Sequence, residues 1–166
     1  MMGMAETQPE RPAEGWKYPY VAGAIDFGSS IRVDVAKADD RKVGYVIIPA
    51  IRISKNNPTV IGFLDEFCTE HGLNPNFRDD TNTFRLEISK RQDVLKFLKL
   101  IRPYLIVRHE EAALLVEDLL PGLDAGKGST EEGFVELMGY VDEIRSLTRS
   151  ENPKYDQDHF REIWEV

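Results

Sequence analysis

Polar and apolar residues alternate along much of the chain, and where they do the period changes from two residues to between three and four. Ile31, Val33 and Val35 share one parity and Arg32, Asp34 and Ala36 the other, so Ser30–Lys37 is expected to be a strand with one apolar face. Ala38–Lys42 reads as a turn and Gly44–Lys55 as the returning strand, with Ile47, Ile51 and Ile53 opposite Ala50, Arg52 and Ser54. Pro49 within that run implies a bulge or an edge position, because proline donates nothing to a ladder. Asn57-Pro58 opens a helix over Thr59–Glu70, in which Val60, Phe63, Leu64 and Phe67 recur at helical spacing and Gly72 is the stop. Asn74–Asp80 and Thr83–Ser89 read as a second hairpin. Phe84, Leu86 and Ile88 point inward, Arg85 and Glu87 outward, and Asn76, Arg78 and Asp80 share one side. A further helix over Lys90–Leu100 carries Val94, Leu95, Phe97 and Leu98. Beyond Leu120-Pro121-Gly122, a polar loop is expected over 123–130, a helix over Thr130–Arg149 and an amphipathic tail over Tyr155–Val166.

The first strand is preceded by a helix beginning near Tyr18, with Pro19 in the first turn and Gly28-Ser29-Ser30 at its end. Ala22, Gly23, Asp26 and Phe27 fall on one stripe of this helix, and Val21, Ala24, Ile25 and Gly28 on a second. Small or apolar residues on both stripes imply burial on two sides, and Ala22 and Gly23 would admit another backbone closely. The fold class is therefore α+β, in the order αββαββα with an antiparallel sheet and extra C-terminal helices.

Val21-Ala22-Gly23-Ala24-Ile25-Asp26-Phe27-Gly28-Ser29 resembles the motif of the LAGLIDADG homing endonucleases, and the element order matches that family's topology from Tyr18 to about Leu123. The resemblance implies that the motif helix packs against a second copy across a two-fold axis. One motif per chain then implies a homodimer, with Ala22, Gly23, Asp26 and Phe27 at its interface. It also implies that the eighth motif residue binds a catalytic metal, and here that residue is Gly28. Phe27 stands where the family usually has a small residue. By the same resemblance, Arg108 aligns with the family's active-site lysine or arginine, and Lys55 with a polar residue near the same phosphates. With Asp26 as a residual acid, Lys55 and Arg108 are the catalytic candidates. Asp26 points away from the eighth position, however, and reads better as a structural hydrogen-bond acceptor at the dimer axis. The sheet face carrying Arg32, Asp34, Arg52, Arg78, Asp80, Arg85 and Glu87 corresponds to the surface with which the family reads the major groove. Arginine can pair there with guanine, and a carboxylate can accept from cytosine.

Composition adjusts this picture rather than replacing it. The chain has 166 residues, 42% of them apolar, enough for one core. Its net charge of −8, from 29 acidic and 21 basic residues, has the wrong sign for a generic nucleic-acid binder, so any DNA surface must be locally basic. The single cysteine, Cys68, lies on an apolar helical face and excludes disulfides and Cys/His metal sites. His71, His109 and His159 have no ligand or catalytic partner at useful spacing. No apolar run approaches a membrane span and no signal peptide is visible, which points to a soluble, cytoplasmic protein. Met1–Gly15 is polar and proline-punctuated and is expected to be disordered. Residues 16–123 then form the LAGLIDADG-type domain and 124–166 a helical extension.

Without the eighth-position carboxylate, the expected function is binding of a pseudo-palindromic double-stranded DNA site without cleavage, and no metal or other cofactor is called for. Two alternatives stay open on sequence: an Mg2+-dependent endonuclease that takes its carboxylate from elsewhere, and an RNA maturase.

Overall fold

Strands β1 (Ser29–Lys37), β2 (Tyr45–Lys55), β3 (Asn76–Asp80) and β4 (Thr83–Ile88) form an antiparallel sheet, in the order β1-β2-β4-β3, in the computed structural model, which describes residues 14–148 and 153–166. The expected disordered tail lies outside the described residues up to Ala13. The β1–β2 ladder runs without interruption from Ser29 opposite Ile53 to Lys37 opposite Tyr45. Pro49, opposite Val33, therefore causes no bulge. It is tolerated because β4 pairs with β2 only along Ile51–Lys55, leaving the β4 side of β2 without a ladder at Pro49.

Side-chain parity holds in β1, β2 and β4, except that Ala50 is buried on the outward parity, and β3 is exposed along almost its whole length. Ile31, Val33, Ile47, Ile51, Ile53, Leu86 and Ile88 are buried on the face covered by helices. Those helices include α1 (Lys17–Gly28), α2 (Pro58–Glu70) and α3 (Arg91–Ile101). Asn57 caps α2, its side chain accepting from the Thr59 N–H at 2.8 Å. Gly72 ends that helix region at φ +72°, a conformation that favours glycine. His71 is structural: its Nδ1 donates to the Phe67 carbonyl at 2.8 Å, leaving Nε2 to accept from the Tyr18 hydroxyl at 3.1 Å.

The chain then turns through Arg102–Tyr104 into α4 (His109–Leu114), a π-helical turn (Leu115–Leu119) and α5 (Leu120–Asp124). The loop expected from residue 123 thus starts later. The Leu120 N–H bonds to the Leu115 carbonyl five residues back, and this wider turn makes room for the Pro121 ring that would otherwise break the helix. Helix α6 (Glu131–Thr148) packs on β1 and α4, and α7 (Gln157–Trp164) packs on α6. Arg145 fastens these parts together, donating from Nη2 to the Val33 carbonyl at 3.1 Å and from Nη1 to the Tyr155 carbonyl at 2.5 Å. Phe134, Phe160 and Trp164 pack around Tyr45 of β2, Phe160 and Trp164 edge to face with it, so the C-terminal helices share the core that the sheet builds.

Candidate nucleic-acid interface

The sheet face turned away from the helices carries the charged residues that strand parity predicts. Arg52 and Glu87 are cross-strand partners with Nε to Oε2 at 2.6 Å. Arg85 reaches Asp80 at 3.6 Å, and Arg32 reaches Asp34 at 3.6 Å. Arg78 stands directly opposite Arg85 in the β3–β4 ladder and, among the described residues, has no ion pair. Like charges in that position repel. The Nε of Arg85 is buried without a hydrogen-bond partner, so this pair of guanidinium groups is short of acceptors. Arg52, Asn76, Phe77, Arg78, Arg85 and Glu87 line a hollow of about 380 Å³ on this face. Arg52, Arg78, Asp80, Arg85 and Glu87 are thus brought together, while Arg32 and Asp34 lie across the sheet on β1. Asn76 joins the group; its parity with Arg78 was the sequence signal for it.

The motif helix divides differently from the expected stripe. Ala22 is 0% and Asp26 7% exposed, whereas Phe27 is 89% exposed. Ala22 and Asp26 face the protomer's own interior and are not available to a partner. The surface stripe is Tyr20, Gly23 and Phe27, spaced by three and four residues, a period that could have revealed Tyr20. Asp26 does find donors, but within the same chain: the N–H groups of Ile106, Val107 and Arg108 at 2.9, 3.1 and 3.0 Å. These three bonds satisfy the carboxylate and place it at the start of α4, where the helix dipole favours an anion. They also hold the exposed Ile106 and Val107 beside the end of α1, near Phe27.

At Gly28 the space that a side chain would take is already filled. A Cβ built there would overlap the Lys55 Nζ and stand 2.6 Å from its Cε. A divalent ion of the kind the motif implies does not fit these residues. Glycine offers only backbone groups, and an ammonium in the vacated space repels a dication. Arg108 is half-buried, with Nη1 3.4 Å from Oε1 of the buried Glu111 and its Nε without a hydrogen-bond partner. Among the described residues, no group of three or more His, Cys, Asp or Glu is placed to hold a metal ion. Cys68 is buried, and burial first, then Asp65 and Asp93, pushes its thiol up to about 12, so it stays protonated and inert. No helix among the described residues is long and apolar enough to cross a membrane.

No protein-family model matches the chain, and no curated protein matches it in sequence. Solved structures do match in fold. The homing endonuclease I-CvuI, in complex with its target in the presence of Ca, superposes with a TM-score of 0.79 at 16% identity, covering 91% of this chain and 94% of that one. The archaeal intron-encoded homing endonuclease I-Vdi141I, complexed with DNA, gives 0.78 at 20% identity over 92% of this chain and 96% of that one. The homing endonuclease I-TnaI gives 0.68 at 19% identity over 89% and 95%. From the motif helix to the C-terminal helices, this chain has the α+β fold of the LAGLIDADG homing endonucleases.

Proposed function

We propose that the protein is a homodimer that binds double-stranded DNA sequence-specifically through the outward face of its sheet and does not cut it. The observation that carries DNA binding is the Arg78–Arg85 pair: two opposed guanidinium groups beside a hollow, Arg78 without an ion pair among the described residues and Arg85 with its Nε unpartnered, donors that a base edge or phosphate would engage. The mixed charges around them, with Glu87 and Asp80 beside Arg52 and Arg85, suit base reading, because a carboxylate repels phosphate and accepts from cytosine. Net charge is negative, so attraction to DNA is local to this face.

The dimer follows from the exposed Tyr20, Phe27, Ile106 and Val107, an apolar surface around a glycine that lets two helices approach. A second copy is the occupant that matches it. The chain aligns with 42% of I-LtrWI, a LAGLIDADG homing endonuclease bound to target DNA, which leaves room in that longer chain for a second unit of this size. Loss of cleavage follows from Gly28, from Lys55 in its side-chain space, and from the engagement of Asp26 by three backbone donors.

Selection of binding sites from a random duplex pool tests this reading. The expected product is one pseudo-palindromic site bound in a salt-dependent manner. Arg78→Ala and Arg85→Ala should each relax one position per half-site, at a cost of ~1–3 kcal/mol. Binding of single-stranded RNA in preference to every duplex would replace the reading with the maturase-like one.

A further inference from the structure

Strand β4 ends at Ile88, opposite Ile51, so the Tyr45–Ala50 half of β2 has no strand on that side. The start of α3 and the loop between α5 and α6 stand there instead, and they enclose with β2 a hollow of about 290 Å³. Part of its lining is apolar: Ile47 and Phe134 are buried, and Tyr45 and Leu123 are half-buried. Another part is cationic, with Arg41 and Lys42 from the β1–β2 turn and Arg91 from α3, against the one carboxylate of Asp40. Arg91 is engaged by Asp124 at 3.3 Å. Arg41 and Lys42 are exposed and, among the described residues, have no ion pair. Two unpaired cations at one hollow run against the charge of a chain that is −8 overall.

The loop side of the hollow is built in advance. Gly126 turns at φ +80°, a conformation that favours glycine, and its carbonyl accepts from the Ser129 hydroxyl at 2.6 Å. Lys127 is drawn away to Glu136 at 2.9 Å, so Gly126 and Gly128 leave this wall open. The hollow shares no residue with the one beside Arg78 and Arg85.

We propose that it is a binding site for a small aromatic anion, with a planar ring against Tyr45, Leu123 and Phe134 and an acidic group held by Arg41 and Lys42. An apolar lining alone would accept any hydrocarbon, and cations alone any anion; side by side they select a molecule that carries both. A backbone phosphodiester would use the cations and leave the apolar lining empty. The site does not rest on the duplex-binding reading.

The test uses anilinonaphthalene sulfonate, an aromatic sulfonate, beside phenylnaphthylamine, which has the same rings and no charge. Fluorescence titration of the full-length protein should show one sulfonate site per chain, at least ten-fold tighter than any site for the amine. Arg41→Gln with Lys42→Gln should weaken the sulfonate roughly ten-fold or more and leave the amine unchanged, whereas Arg41→Lys with Lys42→Arg should keep the wild-type affinity. Both positions are exposed turn residues, and unfolding of the double glutamine variant at the wild-type temperature excludes misfolding. Saturating sulfonate should raise the melting temperature of wild type and not that of this variant. Absence of sulfonate binding, equal affinity for the amine, or unchanged sulfonate affinity in the double glutamine variant overturns the proposal. So does displacement of the sulfonate by the selected duplex together with equal weakening of duplex binding in that variant, which would assign Arg41 and Lys42 to the DNA backbone.

Discussion

Replacement of Gly23 by leucine should act in opposite directions on the protomer and on the dimer. A Cβ at Gly23 meets nothing within 4 Å in the protomer. There, leucine only gains helix propensity over glycine, a stabilisation of about 0.5–1 kcal/mol. In the proposed dimer the same position is the low point of the Tyr20–Phe27 stripe, where the two helices would come closest. A leucine forced into that gap costs roughly 1–3 kcal/mol for each copy, or about 2–6 kcal/mol for the pair. The dimer should then dissociate roughly thirty-fold to twenty-thousand-fold more readily. Sedimentation velocity over a wide concentration range reads the association, and urea unfolding at low concentration reads the protomer. Wild type should sediment as a dimer and Gly23→Leu as a folded monomer. A wild type that is monomeric at every concentration, or a Gly23→Leu protein as dimeric as wild type, would refute the interface. A variant that is monomeric because it has unfolded would refute the claim that Gly23 faces outward.

Asp26→Ala removes the acceptor of three backbone N–H groups, and the loss should be about 3–5 kcal/mol, lowering the melting temperature by roughly 10 °C. A shift under about 2 °C would show that the carboxylate does not hold Ile106–Arg108 to α1. Asp142 accepts from the Gln157 N–H at 3.0 Å but has a buried oxygen without a partner, and burial first, then Asp156, raises its carboxyl above the ordinary value against the pull of that hydrogen bond and of Arg145. The folded state therefore binds this proton more tightly than the unfolded chain. Its charge costs stability above the raised folded pKa, and that cost disappears as pH falls below the unfolded value of about 4. Asp142→Asn should be more stable than wild type at neutral pH, with the difference closing in acid; a constant difference across that range would contradict the assignment. Gly28→Asp alone should place its carboxylate against Lys55 and form an ion pair, so no nicking is expected from it. Gly28→Asp with Lys55→Gln is the combination in which Mg2+-dependent nicking of the bound site should appear; nicking by the single variant would show that Lys55 does not fill the site.

The strands were legible because a period of two survives any tertiary context that buries one face: Arg52, Arg78, Arg85 and Glu87 fall where parity puts them. The caps and stops of α2 were equally local. The motif helix was harder. A stripe that includes residues i, i+1, i+4 and i+5 spans two neighbouring faces, and local pattern cannot say which half is covered by the protomer. Ala22 and Asp26 took the inner half because the backbone donors that satisfy Asp26 come from residues 106–108, some eighty positions away. The meeting of Lys55 with Gly28 is also long-range. Both ingredients were visible, an inward parity for Lys55 and a missing side chain at 28, but only the β1–β2 register joins them. The continuation of the helix past Pro121 depends on a π turn that no periodicity announces.

The central claim is that this fold holds a specific duplex without breaking it. The most direct measurement is incubation of purified wild-type protein with its selected site in supercoiled plasmid, with Mg2+ and with Mn2+, followed by electrophoresis with and without protein removal. The expected result is a retained complex containing two protein chains, and plasmid that is still supercoiled once the protein is stripped away. Nicked or linear plasmid, produced by wild type and abolished by Asp26→Asn or Arg108→Ala, would contradict it and make the protein an endonuclease.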